Sequence, residues 1–270
     1  MASRIGFICP TYKHDDYTAR AITSFFKYTP DGYCILVDDA SPYWTHSTQA
    51  TFAGLLPQPR GDRGMAIHHF REWGGLTRSW NKGLEIARQQ GLEYAIAGNN
   101  DILFNEKWYE GLCATLDAGY ALTGPVSNAP GITGRGIQEV WRYLPSYELN
   151  DDPAYLNQVS EQLRQHYVGN VVEGSINGFF LMAKTATWWE GCYDNQHVFC
   201  PYNEFNSKGV RNPTPLMTLN EDELQARWRK LGWHSAVSVS SFIFHYRAVT
   251  RGRRYCRGRW MRLKSINQGV

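Results

Sequence analysis

The chain has 270 residues, 43% of them hydrophobic, so it can bury the core of one large α/β domain or two small ones, and wholesale disorder is excluded. Its net charge of +3 is modest, so the overall charge implies neither an acidic nor a basic partner. No run approaches the ~18 apolar residues of a membrane span, and residues 1–13 lack the basic segment and long apolar run of a signal peptide.

The first half of the chain alternates between strand and helix patterns. Strands are predicted at 4–12, 33–41, 65–70, 93–98 and 121–125, and helices at 15–30, 76–91 and about 108–116. The two longer helices have apolar stripes, formed by Tyr17, Ala21 and Phe25 in the first and by Leu76, Trp80, Leu84 and Ala87 in the second. This alternation predicts a mostly parallel central sheet with helices on both faces.

Polar residues end three of these predicted strands. The clusters are Pro10-Thr11-Tyr12, Asp38-Asp39 and Asn99-Asn100-Asp101. Ligands of open α/β sheets bind outside the carboxyl ends of parallel strands, so parallel strands would bring the three clusters to one edge. Convergence of this kind predicts a binding site at that edge.

The second half begins irregularly and then regains its order. Within about 126–172, a Gly/Pro/Asn loop at 127–136 precedes a helical pattern at 154–167, which we interpret as an inserted segment that faces the substrate. A strand at 175–184 follows, then a helix at 220–233 and an alternating, half-exposed strand at 235–246. In that helix the sequence places Leu224, Trp228 and Leu231 inward.

The six cysteines are scattered, and no two form a C-x-x-C pair. Several of them lie inside apolar runs, which favours buried free thiols in a reducing compartment over disulfides or zinc sites. We therefore expect a cytoplasmic protein.

Several stretches, taken in order, resemble the family 2 glycosyltransferases, which have the nucleotide-sugar-binding GT-A fold. The matching stretches are ICPTYKHDDYTARAITSFFKYTP, ILVDDAS, GGLTRSWNKGLEIA, YAIAGNNDILF, LTGPVSNAPG, GFFLMAKTATWW, NEDELQARWRKLGW and FHYRAVTRG. The resemblance implies an α/β enzyme of GT-A type in one domain, residues 1–270. It divides into a nucleotide-sugar-binding half (1–125), an acceptor and catalytic half (126–246) and a basic tail (247–270).

By this resemblance, the nucleotide-sugar donor, most simply a UDP-sugar, has two groups of contacts. Pro10, Thr11 and Tyr12 line the uridine pocket, and Asp38 and Asp39 bind base and ribose, although Asp39 or Ser41 could instead cap the next element. Near the diphosphate, Gly75 permits close backbone approach, and the polar donors are Arg78, Asn81, Lys82 and Arg251.

The cluster at 99–101 corresponds to the family's D-x-D motif, whose carboxylates ligate a divalent cation. Here Asn99 replaces the first acid, and Asp101 is the one carboxylate that remains. With Asn100 beside it, the cluster would hold Mn²⁺ or Mg²⁺ weakly without a bound nucleotide, and His245 is the candidate second ligand. The alternative is an Asn/Asp turn without a metal.

The resemblance also implies an inverting reaction in which a carboxylate removes the proton of the acceptor hydroxyl. The matching motif is NEDEL, and its register leaves Asp222 and Glu221 open, with Asp222 favoured. The alternative is that the acids of this motif only complement the dipole of the helix N-terminus.

The acceptor side carries weaker indications. Trp188 and Trp189 could stack on a sugar or a base, although at least one of two adjacent tryptophans is expected in the core. Residues 247–264 contain eight Lys or Arg, among them Arg253 and Arg254, and no acid, which indicates contacts with phosphates or anionic lipid headgroups.

These indications leave three functions open. The acceptor is a saccharide, free or lipid-linked, or a hydroxymethylated pyrimidine in DNA, as in phage-type DNA glycosyltransferases. The third possibility is an inactive binding module that keeps the fold, which the weakened D-x-D motif would explain.

Overall fold

The computed structural model describes residues 5–13, 15–57, 63–131, 136–201 and 220–246, and the backbone course of 253–256 and 259–262. Its strands are β1 (Ile5–Thr11), β2 (Tyr33–Asp38), β3 (Gly64–His69), β4 (Tyr94–Gly98), β5 (Ile102–Leu103), β6 (Leu122–Val126), β7 (Val171–Glu173), β8 (Phe180–Lys184), β9 (Ser235–Phe242), β10 (Phe244–His245), β11 (Arg253–Cys256) and β12 (Arg259–Arg262). Its helices are α1 (Asp15–Tyr28), α2 (His46–Ala53), α3 (Leu76–Gln89), α4 (Glu110–Asp117), α5 (Pro153–Tyr167), α6 (Thr185–Glu190) and α7 (Asn220–Lys230), with 3-10 turns at Gly136–Gln138 and Val140–Arg142.

Within the described residues, eight strands form one sheet in the order β3-β2-β1-β4-β8-β6-β9-β7. The first four run parallel to one another, β6 and β9 run in the same direction, and β8 and β7 run against it. The predicted mostly parallel sheet is therefore confirmed. Two short ladders lie outside it, β5 with β10 and β11 with β12.

Helices cover both faces of the sheet, as the apolar stripes predicted. On one face, apolar side chains of α1, α2 and α4 pack against Phe7 of β1 and Met182 of β8. On the other, side chains of α3, α5, α6 and α7 pack against Ile8 and Leu181, which neighbour those two residues along their strands. Successive side chains of a strand point to opposite faces, so one sheet serves two cores.

Three features differ from the sequence expectation. The strand β9 is buried along nearly its whole length instead of half-exposed, because α4 and α5 both pack against it. Leu231 is 54% exposed, because α7 ends at Lys230 and the residue lies beyond its packed face. The helix α2 was not anticipated, because Phe52 is the one residue that it buries.

The thiols and the helices agree with the sequence in two further respects. Cys9, Cys34, Cys113, Cys192 and Cys200 are free thiols, and burial raises the pKa of Cys113 to about 12. No helix in the described part of the chain has the length and apolar character needed to cross a membrane.

Candidate functional site

The carboxyl ends of β1, β2 and β4 meet at one edge of the sheet, so the three predicted polar clusters do converge. Thr11 pairs with Asp38 in the ladder between β1 and β2, and the backbone N–H of Asp39 donates to the Thr11 carbonyl at 2.9 Å. On the other side, the Thr18 hydroxyl of α1 lies 2.8 Å from the Thr11 hydroxyl and accepts from the Asn100 amide at 2.9 Å. One network therefore connects the ends of all three strands.

Asp39 anchors the turn that leads into α3. Its two carboxylate oxygens accept from the backbone N–H groups of Gly74 at 3.0 Å and Gly75 at 2.6 Å, and it also pairs with the Arg78 guanidinium. Gly75 has a φ of 84°, a backbone conformation that favours glycine. Asp39, predicted to bind base and ribose, therefore holds the N-terminus of α3 at the sheet edge.

Asp38 is fully buried, and one of its carboxylate oxygens has no hydrogen-bond partner in the described part of the chain. Its Oδ2 accepts from the Ser41 N–H at 2.9 Å and faces His69 Nδ1 at 2.7 Å, whereas Oδ1 has no partner among the described residues. The His69 ring stacks on Trp44 with centroids 5.5 Å apart and planes within 2°. Sequence reasoning missed His69, although a histidine that ends a strand beside an acid-ended strand was a usable signal.

The residues at the carboxyl end of β1 differ in their exposure to solvent. Pro10 and Thr11 are buried in the strand, whereas Tyr12 is 36% exposed. The Lys13 ammonium lies 4.7 Å from the centre of the Tyr12 ring, and the Lys13 N–H donates to the Ser41 hydroxyl at 3.0 Å. Of the three predicted residues, Tyr12 is therefore the one with a ring available to a ligand.

Asp101 and His245 meet at the end of β4. The Asp101 carboxylate lies 3.2 Å from His245 Nε2, and the Asn99 amide lies 3.4 Å from the same nitrogen. Nδ1 of His245 lies 2.7 Å from the Ala129 carbonyl, which can only accept a hydrogen bond, so Nδ1 carries a proton. In the neutral ring, Nε2 then points a lone pair at the Asp101 carboxylate. Two lone pairs at this distance repel unless a proton or a cation lies between them.

The fold fixes this histidine from several directions. His245 pairs with Ile102 in the β5–β10 ladder, and its ring stacks on Phe179 with centroids 4.9 Å apart. The Asn128 side chain accepts from the His245 N–H at 2.8 Å and donates to the His245 carbonyl at 3.0 Å. A ring held in this way has its Nε2 oriented toward Asp101 before any ligand arrives.

Tyr246 connects Asp101 and His245 to the segment before α5 and to the helix α1. Its N–H donates to the Asp101 carbonyl at 2.8 Å, and its hydroxyl donates to Asp151 at 2.7 Å and accepts from Arg20 at 3.2 Å. Burial raises the pKa of Tyr246, so the phenol stays neutral and keeps donating. The segment before α5 and the helix α1 therefore both bear on the position of Asp101 and His245.

The donor set fits a divalent cation that is shared with a ligand. A carboxylate, an imidazole with its other N–H on a carbonyl, and an amide oxygen are all groups that Mn²⁺ or Mg²⁺ accepts. The described residues contain no group of three or more His, Cys, Asp or Glu able to hold a metal. Asp101 and His245 would supply two ligands, whereas Asn99, whose amide nitrogen faces His245 Nε2, would first have to turn its oxygen toward the cation. A ligand such as a diphosphate would complete the shell.

The N-terminus of α7 lies at the same edge, because α7 returns the chain to the start of β9, which runs parallel to β6. Glu221 is on the face of α7 that also carries the buried Leu224 and Trp228. A methyl group on Gly178 would lie 2.8 Å from the Glu221 carboxyl carbon, so this carboxylate packs directly against Gly178. Asp222 is next along the helix, about 100° away, and so projects in a different direction.

Two predicted diphosphate contacts have other partners. The Asn81 carbonyl accepts from the N–H groups of Val198 at 3.0 Å and Phe199 at 2.8 Å, and its amide donates to the Phe199 carbonyl at 3.0 Å. The Asn81 side chain therefore anchors the loop 191–201 through three hydrogen bonds to its backbone. Lys82 donates to Glu85 on the same helix at 2.8 Å.

The two tryptophans predicted to contact the acceptor lie away from Asp101 and His245. Trp188 is fully buried and donates to the Ala95 carbonyl at 3.0 Å, so the prediction of acceptor contact was wrong for this core residue. Trp189 stacks with Arg88 at 4.8 Å, near the end of α3 that is remote from Gly75. Arg251 lies outside the described residues, and of Arg253 and Arg254 only the backbone position in β11 is described.

Comparison with known proteins identifies the family. The model of glycosyl transferase family 2 matches residues 7–188, which is more than half of the chain. The chain belongs to glycosyl transferase family 2. A comparison with curated proteins finds no match.

Solved structures agree with the fold of this glycosyltransferase. Staphylococcus aureus TarS 1–349 superposes with a TM-score of 0.52 at 14% identity, over 90% of this chain and 60% of that one. The complex of TarS 1–349 with UDP superposes with a TM-score of 0.51 at 15% identity, over 89% of this chain and 60% of that one. The mannosyltransferase PcManGT from Pyrobaculum calidifontis, in complex with GDP-Man and Mn²⁺, superposes with a TM-score of 0.57 at 12% identity. The match covers 90% of this chain and 56% of that one. The present chain thus spans about three fifths of the length of these GT-A proteins.

The two hydrogen bonds between the Asn128 side chain and the His245 backbone can be tested by substitution. We expect Asn128→Ala to lower the free energy of unfolding by about 1–3 kcal/mol, because it leaves a buried N–H and a buried carbonyl of His245 without partners. Chemical denaturation measures the change. Asn195→Ala, at an exposed site, is the matched control and should stay within about 0.5 kcal/mol of the wild type. Equal stability of the two variants would contradict a stabilising role of the Asn128 hydrogen bonds.

Proposed function

We propose that this glycosyltransferase is metal-dependent and inverting, and that it moves a sugar from a nucleotide-sugar, most simply a UDP-sugar, to an acceptor hydroxyl. The observation that carries the proposal is the orientation of His245, whose Nδ1 donates to the Ala129 carbonyl and whose Nε2 faces Asp101. Either a proton or a cation between these two groups relieves the repulsion, and we assign a cation to this position. A cation on these two groups would neutralise the charge that develops on the leaving diphosphate.

The nucleoside half of the donor would lie over the ends of β1 and β2. Tyr12 offers a ring for stacking, and the unpartnered Oδ1 of Asp38 can accept an N–H or a hydroxyl once a ligand or a water reaches it. His69 and the Ser41 N–H hold the other oxygen, so the carboxylate is already oriented. The TarS complex with UDP and the PcManGT complex with GDP-Man support a nucleotide as a ligand of this chain.

We further propose Glu221 as the general base. Motif alignment favoured Asp222, whereas the packing of Glu221 against Gly178 favours Glu221. Gly178 precedes Phe179, whose ring stacks on His245, so this carboxylate is close to the metal ligands without being one of them. A base in that place could take the proton of an acceptor hydroxyl that attacks the sugar carbon beside the diphosphate.

A second candidate concerns the acceptor. Eight cationic residues without an acid between 247 and 264 exceed what one diphosphate needs, and they favour a hydroxymethylated pyrimidine in DNA over a neutral saccharide.

Metal binding should depend on the nucleotide. We expect Mn²⁺ to bind at least about tenfold more tightly with UDP present, because the protein supplies too few ligands alone. Calorimetry with and without UDP measures this. His245→Ala should abolish the gain, and His234→Ala, an exposed histidine, should keep it. Equally tight Mn²⁺ binding without UDP would argue against a shared site.

The base assignment is testable with single variants. Glu221→Gln should reduce kcat for sugar transfer by about 10²–10⁴-fold while nucleotide binding persists, because the amide cannot accept the proton. Glu173→Gln, at a surface strand, serves as the control. A large loss in Asp222→Asn combined with near-normal Glu221→Gln would move the base to Asp222, and no donor turnover in the wild type with Mn²⁺ would overturn the enzyme proposal.

The DNA acceptor predicts a steep salt dependence. If several of the eight cations contact phosphates, duplex binding should weaken by about 10³-fold between 50 and 200 mM salt. Transfer to DNA that contains 5-hydroxymethylcytosine, followed by mass spectrometry, tests the reaction itself, with unmodified DNA as the control. Efficient transfer to short neutral glycans without any to DNA would favour the saccharide acceptor.

A further inference from the structure

We propose that the side-chain amide of Asn177 donates a hydrogen bond to a hydroxyl of the transferred sugar, and so selects the sugar and not the nucleotide. The inference rests on the proposed function, because it assigns to Asn177 the sugar half of the same donor.

The side-chain amide of Asn177 has no acceptor for its N–H groups among the described residues. The residue is 6% exposed, and its Nδ2 has no hydrogen-bond partner within the described part of the chain. Leaving a buried N–H unpaired is costly, so most such groups are paired and each exception calls for an explanation. A ligand that brings an oxygen to Nδ2 would supply the missing partner.

The segment around this amide is held firmly, so the unpaired donor does not reflect a loose loop. The Asn177 N–H donates to Gln138 Oε1 at 2.7 Å, and Gln138 in turn donates to the Pro125 carbonyl at 3.0 Å. The Gln225 side chain accepts from the Ile176 N–H at 2.7 Å and donates to its carbonyl at 2.9 Å. Buried glutamines therefore fix the backbone at Ile176 and Asn177, while Nδ2 has no partner among the described residues.

A glycine leaves room for the amide. The amide lies against Gly131, where a Cβ would come within 2.3 Å of Asn177 Oδ1. Gly131 has a φ of 156°, which other residues rarely adopt, so the backbone there suits a close neighbour.

The two residues that follow Asn177 contact the proposed base and a proposed metal ligand. Gly178 packs against the Glu221 carboxylate, and Phe179 stacks on the ring of His245. The Phe179 carbonyl also accepts from the Asn99 N–H at 3.0 Å. The unpaired donor therefore lies within two residues of contacts to both the base and the metal ligands.

The order of the strands indicates which part of the donor would reach Asn177. Along the sheet, β2 and β1 carry the nucleoside candidates, β4 leads into Asp101, and β8, which begins three residues after Asn177, comes next. Neighbouring strands are about 4.8 Å apart, so an extended nucleotide-sugar that starts at β2 would bring its sugar to β8. Sugar hydroxyl oxygens accept from an amide N–H.

Calorimetry with Mn²⁺ on the full chain can separate the sugar from the nucleotide. The probes are UDP, UDP-glucose, UDP-galactose, UDP-GlcNAc and GDP-mannose, and wild type is compared with Asn177→Ala. For the nucleotide-sugar that wild type binds best, we expect the Kd of Asn177→Ala to rise about fivefold to tenfold, the size of one lost hydrogen bond. The Kd for the free nucleoside diphosphate of that donor should change less than about twofold.

Two further variants protect the result against misfolding. Asn177→Leu keeps the branched shape without hydrogen-bonding groups and should behave like Asn177→Ala. Asn157→Ala removes an amide from α5 and should leave both affinities unchanged. Equal weakening of nucleoside diphosphate and nucleotide-sugar, or no weakening of either, would overturn the role of Asn177. Binding of UDP alone without preference for any sugar would do the same, and failure of wild type to bind every probe would overturn the donor-site proposal together with it.

Discussion

One hydrogen bond sets the chemistry of the site, the one from His245 Nδ1 to the Ala129 carbonyl. It puts a proton on Nδ1, so Nε2 is the ring nitrogen that faces Asp101 and Asn99. Phe179 on one face of the ring and Asn128 on the backbone restrain the same residue. Without that bond the ring could rotate or change tautomer, and the carboxylate opposite would lose its matched neighbour.

The large sheet turns this local arrangement into an extended site. Four parallel strands and one antiparallel strand place nucleoside, metal and sugar candidates side by side in strand order. The antiparallel direction of β8 is essential, because it brings the residues before the strand to the edge where β4 ends. A purely parallel sheet would place those residues at the opposite edge.

The sequence predicted the architecture well because the parallel strands and helices of the first half carry clear periodic patterns. It also predicted the polar edge, since strand direction alone brings Thr11, Asp38 and Asp101 together. It could not predict which polar side chains were already occupied. Asn81 and Asp39 looked like ligand contacts, yet their partners are backbone groups in distant loops, and no spacing in the sequence reveals those. The sequence could not say which of Trp188 and Trp189 is the core residue, because burial of Trp188 against Trp228 of α7 is a property of the packed structure.

The two adjacent acids at the end of β2 divide their tasks in a way that affects how mutants are interpreted. Asp39 holds two glycine N–H groups and an arginine, so its loss would release the start of α3 wherever the ligand lies. An inactive Asp39 variant would therefore report a displaced helix and say nothing about nucleotide contact. Asp38 Oδ1 has no partner among the described residues, whereas Oδ2 contacts the Ser41 N–H and His69, so the two carboxylates are not equivalent despite being neighbours in sequence. Loss of Asp39 would release the start of α3, whereas loss of Asp38 would release Ser41 and His69 instead.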